Sequence, residues 1–276
     1  MEANGRNILI MGIINATDDS FYAPSRVLSE DGKPDEFTLR NTIRSMLLSG
    51  ADILDIGACS TRPGSIAVGA DTEWQRLKVI LPIVQEEAPV TPISIDTYNA
   101  SVIEKAYDLI GPVIVNDISS GVLDRNMLPL AGRLGLPYIA MHMRGTPETM
   151  SFHTDYRNGV VEDVKNYFLK FAQKASDNGI TNWYLDPGFG FAKTLTQNYT
   201  LLKNLSELTS LLRPIVVGVS RKSMIYSLLG QNPEDSLPPT QALHMAALER
   251  GASILRVHDV SAARHTLVLY KKLAES

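Results

Sequence analysis

The chain has 276 residues, with 26 Lys and Arg against 30 Asp and Glu, which gives a net charge of −4. This balance predicts no general affinity for nucleic acid, and no apolar run approaches the roughly 18 residues that a membrane span needs. The first six residues are polar, so we expect no secretory signal, and the single cysteine excludes an intramolecular disulfide and a cysteine-based zinc site. We therefore expect a cytoplasmic protein with neither nucleic acid nor membrane as its partner.

Eight short apolar runs, each bounded by turn residues and ending in polar or charged side chains, recur along the chain. Runs of this length that are rich in Val, Ile and Leu are typical of buried parallel strands. They cover residues 8–15, 53–57, 92–96, 113–117, 138–142, 183–186, 215–222 and 254–258. Helix-like segments separate them, so the sequence predicts an α/β fold, a (β/α)8 TIM barrel, which usually takes about 250 residues. No linker or repeat divides the chain, and we expect residues 1–276 to form a single domain.

Apolar residues at helical spacing occur between the strands, and we expect them to pack against the barrel wall. The clearest stripes are Leu39, Ile43, Met46 and Leu47; Val161, Val164, Phe168, Phe171 and Ala175; and Leu201, Leu205, Leu208 and Leu212. Two stretches, 17–34 and 60–71, contain Gly and Pro and show no clear helix at their start. We expect lids at the catalytic face there, with ordinary variation in loop length as the alternative.

Three acceptor side chains stand at predicted strand ends, where a barrel of this kind builds its active site. Asp96, Asn116 and Asp186 end the third, fourth and sixth runs. Several acceptors in one pocket suit a ligand with a guanidine-like edge, because a carboxylate accepts two parallel N–H bonds. The alternative is that they pair with the chain's own Lys and Arg residues, since a buried charge needs a partner.

Cationic side chains end the last two runs, where barrels often bind phosphate. Lys222, Arg256 and His258 form this set, and Arg62 on the second loop could join it. Internal ion pairing is again the alternative. Asn15 ends the first run, and its amide oxygen suits either a single Mg²⁺ ligand or a structural turn.

No nucleophile for covalent catalysis is evident. His142 lies between two methionines, Cys59 has no activating neighbours in the sequence, and we expect both to be structural. The residues alone therefore predict a barrel enzyme that binds a phosphorylated, planar, hydrogen-bonding ligand.

Nine motifs occur in a fixed order at or beside the predicted strand ends. They are residues 11–17 with 19–21, 55–57, 60–64, 94–97, 116–119, 141–147, 186–193, 220–223 and 256–259. This ordered set resembles the dihydropteroate synthase family, from the first predicted strand to the last. The resemblance implies a transferase that joins 6-hydroxymethyl-7,8-dihydropterin diphosphate to p-aminobenzoate and releases pyrophosphate. It also implies that the protein is a homodimer, requires Mg²⁺ and is a target of sulfonamides.

The resemblance further implies roles for individual residues. The pterin would be held by Asp96, Asn116, Asp186 and Lys222, in a slot lined by Met141, Phe191 and Gly218. The diphosphate would be surrounded by Asn15 with Mg²⁺, Thr61, Arg62, Arg256 and His258. The p-aminobenzoate would be bordered by Phe21, Pro63 and Ser223. Asp96, Lys222, Arg256 and His258 would be the catalytic set.

The chain departs from the family pattern at Asp18, at residues 22–25, and at Ala58 and Cys59, all in or beside the predicted lids. Two rivals are another pterin-binding barrel, such as a methyltetrahydrofolate-dependent methyltransferase, and a non-catalytic pterin-binding protein. A phosphosugar isomerase or aldolase would need a base or a Schiff-base lysine, for which Lys222 is a formal candidate. The motif at residues 60–64, together with Arg256 and His258, favours the synthase, because cationic groups facing an empty site would be costly.

Overall fold

The described residues, 7–16, 35–59 and 68–275 of this computed structural model, form a closed barrel of eight parallel strands. Each strand pairs with its neighbours in the sequence, and the first pairs with the last. The strands are β1 Leu9–Asn15, β2 Ile53–Gly57, β3 Ile93–Asp96, β4 Ile114–Asp117, β5 Tyr138–Met141, β6 Trp183–Asp186, β7 Ile215–Val217 and β8 Ala252–Val257. The predicted (β/α)8 barrel is confirmed.

Helices connect the strands and surround the barrel. They are α1 Glu36–Leu48, α2 Ala70–Glu87, α3 Ala100–Ile110, α4 Met127–Leu134, α5 Val160–Asp177, α6 Leu195–Lys203, α7 Ser223–Leu229, α8 Leu237–Glu249 and α9 Val260–Ala274. Short 3₁₀ helices cover Met150–Phe152, Leu205–Leu211 and Pro233–Ser236. Within the described ranges, no helix has both the length and the apolar character to cross a membrane.

Two of the three predicted helical stripes pack as expected. The stripe on α1 buries Leu39, Ile43 and Met46, and the stripe on α5 buries most of its predicted positions. The third prediction is wrong at its end, because α6 stops at Lys203 and a 3₁₀ helix follows. Leu212 then adopts a φ of 54° as the chain turns toward β7, which leaves its side chain 89% exposed.

The barrel interior changes from apolar to polar along the strands. Its apolar layer consists of Met11, Ile53, Ile114, Ile139, Val216 and Ile254, with Leu9 and Tyr184 packed against it. Because strand side chains alternate between faces, the residue two positions later points into the same interior. Those residues include Asp55, Asn116, Met141, Asp186, Gly218 and Arg256. The fold therefore collects a polar layer at the C-terminal ends of the strands.

The predicted seventh strand was too long. β7 ends at Val217, and Lys222 is the residue just before α7, five positions beyond the strand. The intervening chain cannot stay extended, since Arg221 has a φ of 53°. The predicted lid at 17–34 and most of the one at 60–71 lie outside the described residues, and α2 begins at Ala70, inside the second.

The packing of α4 on the end of α5 depends on Gly132. A Cβ atom at Gly132 would lie 1.7 Å from the carbonyl oxygen of Asn178, so one backbone must move. We expect Gly132→Ala to lower the free energy of unfolding by about 1–3 kcal/mol, the usual range for overpacking, in urea denaturation. Gly69→Ala is the control, because a Cβ there meets open space, and it should cost no more than about 1 kcal/mol. Equal stability of the two variants would contradict the close approach.

Candidate active site

The guanidinium of Arg256 joins two carboxylates in the polar layer. Its Nη2 atom lies 2.6 Å from Asp96 Oδ2, and its Nε atom donates to Asp55 Oδ2, also at 2.6 Å. Burial opposes the charge of Arg256, but the two carboxylates overcome it and raise the pKa of the guanidinium. Internal ion pairing, the alternative considered for the acidic strand ends, is therefore realised for Asp96.

One oxygen of Asp96 finds no donor among the described residues. Its Oδ1 atom is buried and, among the described residues, accepts no hydrogen bond. Burial raises the pKa of this carboxyl to about 7, although Arg256 opposes the shift. A buried acceptor without a donor is costly, so Oδ1 marks a place where a ligand N–H group would be stabilising.

Asp55 is a site residue that the sequence interpretation missed. It is fully buried in the middle of β2 and accepts from Asn116 Nδ2 at 3.2 and 3.3 Å as well as from Arg256. The sequence analysis looked for acceptor side chains only at the ends of the predicted strands. The period-two pattern carried the missing signal, since Asp55 follows the interior residue Ile53 by two positions.

Asp186 ends β6 and is fixed by the backbone. Its Oδ1 accepts from the N–H of Gly188 at 2.7 Å, and its carbonyl accepts from the N–H of His142 at 2.9 Å. Burial raises the pKa of the Asp186 carboxyl, against the influence of the Lys222 ammonium. A Cβ on Gly188 would lie 2.1 Å from the His142 carbonyl oxygen, so only glycine permits this turn.

Lys222 reaches the same region from the loop before α7. Its Nζ donates to the Phe189 carbonyl at 2.6 Å and lies 5.0 Å from the centre of the Phe191 ring. Burial lowers the pKa of Lys222 to about 8, although Asp186 opposes the shift. Gly218 lies beside both cationic side chains, since a Cβ there would be in ordinary contact with Lys222 Nζ at 3.8 Å and with Arg256 Cβ at 3.9 Å.

An apolar wall lies beside these charges. Met141 packs with Ile118 and Met143, and Phe191 and Tyr98 are packed against that cluster. Sulfur and aromatic side chains next to buried carboxylates form a slot that suits a flat, polar-edged heterocycle. Met141 and Phe191, which were predicted to line the pterin slot, lie together in this wall.

The other predicted residues that the structure describes lie near the C-terminal ends of the strands. His258 follows β8, and its Nδ1 lies 3.0 Å from Ser220 Oγ. Asn15 ends β1 with its Oδ1 near Gly57, opposite Asp96, since a Cβ on Gly57 would lie 3.8 Å from both Asn15 Oδ1 and Asp96 Oδ2. Ser223 is exposed at the start of α7. Phe21, Thr61, Arg62 and Pro63 lie outside the described residues.

A second lysine, Lys193, is buried next to this slot, and the sequence analysis gave it no role. Lys193 Nζ donates to the carbonyls of Gly188 and Phe191 at 2.8 and 3.0 Å and lies 3.0 Å from His142 Nδ1. Burial lowers the pKa of Lys193 to about 7 and that of His142 well below its ordinary value. A neutral His142 can accept from the ammonium, which agrees with the structural role expected for it.

The described part of the chain contains no site that could bind a metal ion through protein side chains alone. No group of three or more His, Cys, Asp or Glu side chains there could hold one. The amide oxygen of Asn15 fits a different arrangement. Mg²⁺ commonly takes one or two protein oxygens and completes its shell with substrate phosphates and water.

Comparison with known proteins identifies the family. The family described as pterin binding enzyme matches residues 11–258. The dihydropteroate synthase of Synechocystis is 39% identical over 262 residues, which are 94% of this chain and 87% of that protein. The chain belongs to the dihydropteroate synthase family. Its members are transferases, and the family expected from the motifs is confirmed.

Other relatives differ in length, and two solved synthases share the fold. The fission yeast folic acid synthesis protein fol1 is 39% identical over 260 residues, and the chain spans only 34% of its length. The Yersinia pestis synthase, solved with a sulfonamide drug, superposes with a TM-score of 0.89 at 33% identity, covering 100% of this chain and 97% of that one. The Thermus thermophilus synthase, solved with 4-aminobenzoate, gives 0.83 at 37%, covering 97% and 95%.

The buried ammonium of Lys193 predicts a pH dependence of stability. In the unfolded chain this lysine titrates near its ordinary value of 10.5, but burial lowers its pKa to about 7 in the fold. Between these values the unfolded chain binds more protons, so the fold gains stability as pH rises. We expect the unfolding free energy of the wild type minus that of Lys193→Met to increase from pH 7 to pH 9, by up to about 1.4 kcal/mol per unit.

Urea denaturation at several pH values measures this difference. Lys170→Met, which removes an exposed lysine from α5, is the matched control for the pH range itself. A difference for Lys193→Met that stays level or falls from pH 7 to pH 9 would contradict the burial of this charge.

Proposed function

We propose that this rim joins 6-hydroxymethyl-7,8-dihydropterin diphosphate to p-aminobenzoate, giving 7,8-dihydropteroate and pyrophosphate. The supporting observation is the arrangement of Arg256 between Asp55 and Asp96, with Asp186 and Lys222 close enough to influence each other's pKa. It offers acceptors for a heterocycle and cations for a diphosphate at adjoining positions. The Thermus thermophilus relative, solved with 4-aminobenzoate, supports the choice of the second substrate.

The acceptor half of the rim would hold the pterin. The aminopyrimidine edge carries adjacent N–H donors, which suit Asp186 and the free oxygen of Asp96, with Asn116 between the two strands. Lys222 would donate to the ring, and Met141 and Phe191 would cover its faces. Each of these groups is buried or half-buried, so the interactions would be made in an environment with little water.

The cationic half would hold the diphosphate. Arg256 donates from Nε and Nη2 to Asp55 and Asp96, so its Nη1 group would donate to the phosphate oxygens, and Ser220 orients His258 at the same rim. Thr61 and Arg62, which lie outside the described residues, complete the set that the family resemblance implies. Asn15 would bind Mg²⁺ together with diphosphate oxygens, and the ion would supply additional positive charge to the leaving group.

The reaction needs charge stabilisation more than a nucleophile. As the C–O bond breaks, its electron pair leaves with the diphosphate, where Arg256 and His258 stabilise the negative charge. The methylene carbon attached to the pterin becomes positive, and the Asp96 carboxylate, with Asp19 from the first loop, would stabilise it electrostatically. The amino group of p-aminobenzoate then attacks this carbon and loses a proton. Ser223, Phe21 and Pro63 would border the arylamine.

The rival functions make no use of the cationic set. A methyltransferase of the pterin-binding barrels has no diphosphate to hold, and a simple binding protein would not release pyrophosphate. Arg256 would still be held by Asp55 and Asp96 in either rival, so pyrophosphate release, rather than the cost of an unpaired cation, distinguishes these rivals from the synthase. We further propose a cytoplasmic homodimer, which rests on the family resemblance and which sedimentation equilibrium would test.

Pyrophosphate release tests the proposal directly. We expect the full chain, mixed with pterin diphosphate, p-aminobenzoate and Mg²⁺, to release one pyrophosphate for each dihydropteroate formed, in a coupled phosphate assay with chromatography of the pteroate. Omitting p-aminobenzoate, or adding EDTA, should reduce the rate strongly. Tight pterin binding without any pyrophosphate release would instead favour a binding protein.

Two substitutions should separate the two halves of the rim. We expect Asp186→Ala to weaken binding of both 6-hydroxymethylpterin and its diphosphate, by roughly tenfold to a hundredfold, because it removes a charged acceptor from the ring. Arg256→Ala should weaken binding of the diphosphate much more than binding of the alcohol, because its target is the phosphate. Titration calorimetry measures both ligands, and unchanged affinity in both variants would defeat the assignment.

A further inference from the structure

Asp55 connects three strands without facing solvent. From β2 it accepts a hydrogen bond from Arg256 Nε on β8 at 2.6 Å. It also accepts from Asn116 Nδ2 on β4, at 3.2 Å to one oxygen and 3.3 Å to the other. Its side chain is completely buried, so it offers no surface to a ligand, and among the described residues the partners of its side chain are Arg256 and Asn116.

Compensation of the Arg256 charge does not by itself explain Asp55. Asp96 already provides a carboxylate oxygen 2.6 Å from Arg256 Nη2. A second buried carboxylate beside one guanidinium adds a desolvation cost and repels Asp96. The bonds from Asn116 to both oxygens of Asp55 point to an additional task.

That task concerns the orientation of an amide. An asparagine can present either its oxygen or its NH₂ group to a partner, but an ionised carboxylate only accepts. Asp55 therefore selects the Nδ2 side of Asn116. The amide is planar, so Oδ1 is turned away from Asp55 and is left as an acceptor for other groups.

We propose that Asp55 is a positioning residue that makes Asn116 an acceptor toward the pterin slot and so makes the slot prefer a heterocycle edge with N–H donors over one with carbonyl oxygens. This inference rests on the proposed function, since it assumes that the slot holds a pterin. The preferred ligand class is the 2-aminopyrimidin-4-one ring. The disfavoured class is the corresponding pyrimidine-2,4-dione, which replaces the exocyclic amine by an oxygen.

The Asp55→Asn substitution should reverse the orientation of Asn116. Arg256 Nε can only donate, so it takes the oxygen of the new amide, and the new NH₂ group then faces Asn116. Asn116 must turn its own oxygen toward that donor, which brings Nδ2 to the slot. The slot then offers a donor where it previously offered an acceptor.

Binding of two uncharged ligands measures this effect without involving the diphosphate. We expect the wild type to bind 6-hydroxymethylpterin at least about tenfold more tightly than 6-hydroxymethylpteridine-2,4-dione in titration calorimetry, because the dione leaves buried acceptors unpaired. In Asp55→Asn this ratio should fall by about tenfold or more. A merely structural role would weaken both ligands equally and leave the ratio unchanged.

Exchanging the residues at positions 55 and 116 keeps the net charge and should restore the ligand preference. In the double variant Asp55→Asn with Asn116→Asp, the amide at 55 donates to the carboxylate at 116, whose second oxygen again faces the slot as an acceptor. We expect the preference for the pterin to return toward the wild-type ratio. If the single variant fails to fold, as judged by circular dichroism, the double variant and the wild-type ratio still test the inference.

The outcomes separate the two proposals. Equal binding of both ligands by the wild type, or an unchanged ratio in Asp55→Asn, would overturn the role of Asp55 while pyrophosphate release still supported the synthase. A double variant that folds but shows no recovery of the ratio would also overturn it. Absence of pyrophosphate release by a wild type that discriminates between the ligands would instead count against the proposed function alone.

Discussion

The guanidinium of Arg256 lies between Asp55 and Asp96 with a 2.6 Å contact to each, and the rim is arranged around keeping these charges together. Removing Arg256 would leave two buried carboxylates without the cation between them, which is strongly unfavourable, whereas removing either carboxylate would leave the guanidinium with a single charged partner. The three residues come from β8, β2 and β3. Their contact therefore requires the barrel to be closed, because β8 reaches β2 only across β1.

The abrupt change of polarity inside the barrel explains where chemistry can occur. Ile53, Ile114 and Ile254 fill the interior one layer below Asp55, Asn116 and Arg256. The apolar layer excludes water from beneath, so the charges above it are solvated only by one another and by whatever enters from the open end. This is the condition under which fixed charges act most strongly on a ligand.

The sequence predicted those features that depend on periodicity and on position in a strand. Asp96 and Asp186 could be found because they close short buried runs and Asn116 because it stands one position before the end of another, and the alternation of side chains then places all three on one rim. Lys222 was assigned to a strand that ends at Val217, since an apolar run followed by a basic pair does not reveal the turn at Arg221. Asp55 was missed because its importance comes from contacts with β4 and β8, which are distant in the sequence.

Hydrogen-bond satisfaction distinguishes structural charges from those available to a ligand. Asp117, which ends β4, is buried like Asp96, but both its oxygens accept, from Ser119, Gly121 and Tyr138. Asp96 instead keeps one oxygen without a donor among the described residues.

The two buried lysines differ in the same way. Within the described part of the chain, Lys193 finds three acceptors, enough for all its N–H groups, whereas Lys222 finds only the carbonyl of Phe189. Burial lowers the pKa of both lysines, but among the described residues only Lys193 has an acceptor for each of its N–H groups. A ligand with an N–H donor for Asp96 Oδ1 and an acceptor for Lys222 Nζ would supply the hydrogen bonds that both side chains lack among the described residues. That combination describes the edge of a pterin more closely than it describes a phosphate or a sugar.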